Sequence, residues 1–243
     1  MIAAIAPLLI ALASFLLRLS NLGAIKTMIF DEVYYVDGAR DFLKYGVEVT
    51  GTKPEFVVHP PVGKWLIASG IKLFGDGAFG WRFATALIGS LAILVVALIA
   101  HRLFYSPILT ALAAGLMAVD GLALVHSRTA LLDNFLSFFI VVSTYFFISR
   151  KYWWTGFFLG LALATKWSAL YFIVLFGLIA LYRVFAHHTG RDLLRPTLAR
   201  FAAFGILPLA VYITSWWGWF ASSRGWDRHH SRNPISSFIY YHH

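Results

Sequence analysis

The sequence predicts an all-α protein: a polytopic helical membrane protein with about seven transmembrane helices and a long extracytoplasmic first loop. Three observations predict it. Of the 243 residues 60% are hydrophobic and only 13% charged, far from the balance of a soluble domain. Apolar windows near the roughly 20 residues a helix needs to cross a bilayer fall at about 2–19, 81–103, 107–125, 131–149, 153–165, 168–186 and 201–221. The Lys and Arg residues of the short loops then sort to one side of those windows. The net charge of +9 forms no basic cluster on a polar, foldable surface, so nucleic acid is excluded as a partner. The absence of cysteine excludes disulfides and thiolate zinc sites.

Taken in order, the first window (2–17) lacks a basic n-region and a small-residue cleavage site and reads as an uncleaved signal anchor. The loop that follows, about 19–80, is no disordered linker. Between residues 35 and 46 the apolar Tyr35, Val36, Ala39, Phe42 and Leu43 repeat at helical spacing, with Asp37, Arg40, Asp41 and Lys44 on the other side, as in a helix lying in the membrane interface. A second helix follows "HPPVGKWLIASGIKLF": Pro60 keeps His59 out of the α region, and Pro61 suits the first helical position. The window at 153–165 is short and Lys166 separates it from the next, so two spans or one long broken helix both fit. Arg102 follows the second window, Arg150 and Lys151 the fourth, and Arg183, Arg191, Arg195 and Arg200 surround the loop after the sixth. A cytoplasmic N terminus puts all of these inside, with Asp192 alone opposing them. It puts the first loop, the turn at 120–130, Lys166 and the tail after residue 222 outside. No internal repeat is visible, and residues 1–243 read as a single membrane domain.

The adjacent carboxylates Asp31 and Glu32 stand where the first span leaves the bilayer. They could cap the interfacial helix, an effect of about 0.3–1 kcal/mol. One carboxylate suffices for a cap, however, and ionisable groups at that depth are costly unless they line a wet cavity or meet partners. The outer side supplies His59, Lys64, Arg82, Arg128 and Lys166. Asp31, Glu32 and His59 would make a plausible metal set, but no HxxxH or DxD spacing accompanies them. Arg128 and Asp133 are spaced for a local ion pair shaping the outer turn. The tail, rich in His, Arg and aromatics, fits either interfacial anchoring or contact with a substrate. A transporter should carry ionisable or helix-breaking residues near mid-span, and these spans are nearly uncharged there. An assembly subunit has no use for the Asp-Glu pair, the His-Pro-Pro turn and the outer cations together.

The blocks "FDEVYY", "VHPPVGKWLI", "FGWRFATALIGSL", "SRTALLDNFLSFF", "LGLALATKWSALYF" and "YITSWWGWF", in this order, resemble the signature blocks of the protein O-mannosyltransferase family, especially its actinobacterial members. The resemblance runs from about residue 21 to the end. It implies a GT-C-like membrane enzyme of the plasma membrane that transfers mannose, with inversion, from polyprenyl-phosphate-mannose to Ser or Thr hydroxyls of exported proteins. It also implies association with the secretion machinery. Asp31 then corresponds to the catalytic aspartate, as a general base. Glu32 and His59 are expected to bind the acceptor, Arg82 and Lys166 to meet the donor phosphate, and Lys64, Arg128 and Asp133 to line or shape the site. No metal or other cofactor is implied. Transfer of another lipid-linked sugar to a lipid or glycan acceptor is the alternative within the same architecture. Full members continue with several more spans, so the resemblance covers an N-terminal module and leaves open whether the chain acts alone.

Overall fold

The computed structural model describes residues 2–49, 59–225 and 227–242. Residues 50–58 of the expected long loop, with Trp226 and His243 of the tail, lie outside the described residues. Among those described the protein is all helical, and an isolated bridge between Val49 and Gly225 ties the first loop to the tail. The elements are α1 (Ile2–Leu19), α2 (Glu32–Tyr45), α3 (Val62–Phe74), α4 (Ala78–Phe104), α5 (Pro107–Val119), α6 (Gly121–His126), α7 (Leu132–Ile148), α8 (Tyr152–Leu163) and α9 (Ala169–His187). A 3-10 turn then leads into α10 (Leu194–Phe201), a π-helical turn (Ala202–Ile206), α11 (Leu207–Ser215), α12 (Trp217–Ala221) and α13 (Pro234–Tyr241).

Each apolar window has a helical counterpart, with local chemistry setting the ends. α4, α9 and the run Gly190–Ser215 are long and apolar enough to cross a membrane, whereas the stretch Ile5–Leu19 of α1, together with α5 and α7, is apolar but shorter. The window at 107–125 divides in two. Asp120 adopts an extended backbone (ψ 123°) and its side chain accepts from the Ala123 amide, so the residue that ends α5 caps α6. The windows on either side of Lys166 are separate helices, α8 and α9, joined by a turn at 164–168. The break expected at Lys166 is therefore present, as a short turn between two helices.

Both loop helices form where the periodicity puts them. α2 buries Tyr35, Val36 and Ala39 and stops at Gly46, whose φ of 73° lets its amide bond back to the Phe42 carbonyl, a left-handed conformation that glycine adopts most readily. α3 starts one residue later than expected, with Pro61 as the flanking residue (φ −74°) and Val62 first. A Cβ on Gly70 would strike the Gly80 carbonyl, so glycine lets α3 lie directly on the start of α4. Asp76, between these helices, accepts from the Trp81 indole (2.6 Å) and from Arg40 of α2 (2.8 and 3.0 Å). The largest core cluster joins α2, α3, the starts of α4 and α7, and Trp216 and Trp219. It underlies the first loop.

Candidate active site

Glu32, the first residue of α2, is fully buried. Arg82, one turn into α4, donates to it from two nitrogens, Nε to Oε1 at 2.7 Å and Nη2 to Oε2 at 2.6 Å, the bidentate fork that guanidinium and carboxylate favour. Glu32 also accepts from the backbone amides of Ile29 (2.8 Å) and Ala130 (2.6 Å). Arg82 reaches further, to the carbonyls of Ile25 (2.7 Å) and Thr27 (3.0 Å). Both groups expected to touch substrate are therefore engaged with each other and with the segment 25–32. Arg82 is itself buried and directs all three of its nitrogens to protein partners. The pair welds the loop after α1 to α4 and to the start of α7.

Asp31 is held differently. It occupies the position that flanks α2, yet its side chain makes no capping hydrogen bond, so the contact on which the helix-cap reading depends is not made. The Tyr35 hydroxyl, one turn along α2, donates to Oδ2 at 3.1 Å. Burial, reinforced by the Asp31 and Asp133 carboxylates, raises the Tyr35 phenol above its ordinary pKa, which keeps it a neutral donor. Its ring packs 5.7 Å from that of His59. His59 is pushed down to about 4 by burial first and by the Lys166 and Lys64 ammonium groups next, against the pull of Asp133 and Asp31. Lys166, in the α8–α9 turn, pairs with Asp133 of α7 at 2.7 Å, and both are partly exposed. Asp31, Tyr35, His59, Asp133 and Lys166 thus share one electrostatic neighbourhood at one end of the bundle.

The remaining expected residues frame this cluster. Lys64 is buried, pairs with Glu48 at 2.5 Å and donates to the His59 carbonyl at 3.1 Å, fixing the His-Pro-Pro turn. Arg128 and Asp133 do not form the expected pair. Arg128 instead donates to the carbonyls of Leu17, Arg18 and Ser20, which the end of α1 leaves without helical partners, and Asp133 turns to Lys166. The periodicity marks Tyr35 only as part of an apolar face, although its place four residues after Asp31 is the spacing at which helical side chains meet. Glu48 carries no sequence signal. Among the described residues no group of three or more His, Asp or Glu is placed to hold a metal ion. The chemistry available is that of a partly exposed carboxylate oriented by a phenol, with a cation close by.

Residues 74–221 match the family described as dolichyl-phosphate-mannose-protein mannosyltransferase. Arg82, Asp133 and Lys166 fall inside that stretch; Asp31, Glu32 and His59 precede it. The chain is 37% identical over 265 residues to the polyprenol-phosphate-mannose–protein mannosyltransferase of Mycobacterium tuberculosis, which covers 91% of this chain and 50% of that protein. It is 36% identical to the protein of the same name from Mycolicibacterium smegmatis (93% and 52% covered) and 35% identical to that of Corynebacterium glutamicum (87% and 49%). The chain spans about half the length of these curated relatives.

Proposed function

The chain belongs to the dolichyl-phosphate-mannose-protein mannosyltransferase family, and from that premise we propose that it carries the acceptor-activating site for transfer of mannose from a polyprenyl-phosphate-mannose lipid to Ser or Thr hydroxyls of exported proteins. Asp31 is the general base. It takes the hydroxyl proton as the acceptor oxygen attacks C1 of mannose from the face opposite the phosphate. The C1–O bond breaks with inversion, and the electron pair leaves with the lipid phosphate. Lys166 meets the charge that develops there, exchanging its bond to Asp133 for one to the phosphate. His59, neutral, lines the acceptor side. For Glu32 and Arg82 we assign positioning in place of substrate contact: they hold the segment from which Asp31 projects. The site faces outward on a bundle of seven crossings in the plasma membrane, with the N terminus in the cytoplasm.

The single observation that supports this reading is the state of Asp31, a partly exposed carboxylate that caps nothing and is oriented by a neutral phenol. Asp31→Asn keeps the shape and removes the basicity. In membranes supplied with labelled polyprenyl-phosphate-mannose and a Ser/Thr-rich peptide, transfer should fall by about two to four orders of magnitude, with donor binding retained. Near-normal transfer by an Asp31→Asn protein that melts like the parent would overturn the assignment.

A further inference from the structure

α7 starts beside Asp133 and α9 just after Lys166; at 1.5 Å per residue, both end roughly 25 Å away, at the opposite end of the bundle. There the α7–α8 connection, the last turns of α9 and the junction of α10 with the π-helical turn line an open cavity of about 660 Å³, within the range of small-molecule sites. Arg150, Lys151, Arg183 and Arg200 line it, and no carboxylate does. None of the four belongs to an ion pair among the described residues. Arg183 lies 4.8 Å over the Phe147 ring, with Nη1 donating to the Tyr152 hydroxyl at 3.4 Å, and Arg200 lies 4.2 Å over the Tyr152 ring, a stacking that orders a guanidinium while leaving its remaining N–H groups able to donate. The Arg200 Nε is buried and has no hydrogen-bond partner. Trp153 and Trp154 on the wall are 57% and 55% exposed, as aromatics are where a bundle meets the lipid headgroups.

Topology alone does not gather these cations. Arg191 and Arg195 belong to the same basic side and lie exposed, outside the cavity. Four cationic side chains around one concavity, with no acid among the lining residues, suit an anion rich in acceptor oxygens. Basic pockets between membrane helices take phosphorylated headgroups, and the arginine fork matches phosphate. We propose that this cavity is a phosphate-binding site for the headgroup of an anionic phospholipid, separate from the Asp31 cluster and independent of the transfer reaction.

The test uses the full chain, purified in neutral detergent and delipidated. It is titrated with short-chain phosphatidylglycerol, with phosphatidylcholine and, in a separate arm, with inorganic phosphate; occupancy is read by native mass spectrometry and stabilisation by thermal melting. One phosphatidylglycerol should bind at least tenfold more tightly than phosphatidylcholine. Arg183→Gln/Arg200→Gln should weaken it tenfold or more. Arg191→Gln/Arg195→Gln, which removes the same charge from the same side, should leave it unchanged. Inorganic phosphate that fills the site with the same dependence on Arg183 and Arg200 would identify a soluble phosphate as the source and uphold the site. Equal binding by the Arg183/Arg200 variant, or equal loss in the Arg191/Arg195 control, would reduce the effect to diffuse surface charge and overturn the proposal. Should the glutamine pair fail to melt cooperatively, Arg183→Lys/Arg200→Lys keeps the charge without the fork, and undiminished binding there would overturn it as well.

Discussion

His59 is a basic group that the fold keeps neutral. Its pKa in the folded protein is pushed to about 4, against an ordinary value of 6.5. Between those values the unfolded chain binds more protons than the folded one, so stability rises with pH across the window and is lost as pH falls from about 6.5 towards 4. Melting temperature in detergent should drop on acidification through that range, and His59→Gln should remove part of the drop. An unchanged slope in the variant would show that other groups set it. Tyr35 makes a second prediction, because its hydroxyl holds Asp31 through one hydrogen bond at 3.1 Å. Tyr35→Phe should cost about 1 kcal/mol of stability or less but, with Asp31 as the proposed base, lower turnover about ten- to hundredfold, since a misplaced base loses its near-attack geometry. Unaltered turnover in a stable Tyr35→Phe protein would remove the phenol from the mechanism.

The loop helices owe their formation to side-chain periodicity but their placement to buried charge. Removing one member of an enclosed ion pair leaves the other uncompensated, at about 3–5 kcal/mol. Arg82→Met should therefore destabilise far more than Asp31→Asn, and Arg82→Met/Glu32→Gln should recover a good part of the loss. Additive losses in that double-mutant cycle, measured by melting, would mean the two groups act apart. This division also explains what the sequence discloses at this scale. α2 and α3 are legible because the 3.6-residue repeat and the Pro-Pro turn are local. The pairings Glu32–Arg82, Lys64–Glu48 and Asp133–Lys166 are not, because each is one choice among several outer cations and carboxylates that the sequence alone leaves equivalent. Arg128 shows the consequence: its neighbour in sequence, Asp133, was the natural partner, and the unsatisfied carbonyls at the end of α1 took it instead.

The protein as a whole lends itself to a topology test because its sequence has no cysteine, so any single introduced thiol is unambiguous. Thiols at Lys26 and Ser223 should react with a membrane-impermeant maleimide on intact cells, and one at Arg191 only after the cells are opened. Labelling of the Arg191 position in intact cells would overturn the proposed seven-crossing arrangement. Each apolar window of the sequence has a helical counterpart, yet hydropathy misses α10 and α13, which lie outside the windows, and the break at Asp120, where one side chain ends α5 and begins α6. The contacts that build the site also impose an order in time. Glu32 bonds the Ala130 amide 98 residues further on, and the Val62 amide bonds the Ala164 carbonyl. At about 5–20 residues per second of synthesis, the segment bearing Asp31 must wait roughly 5–20 s after leaving the ribosome before its last anchor is even made. For that interval a nascent chain holds an acidic loop with no finished seat, so biogenesis, and not only the folded state, is exposed to any change that hinders the later helices from arriving.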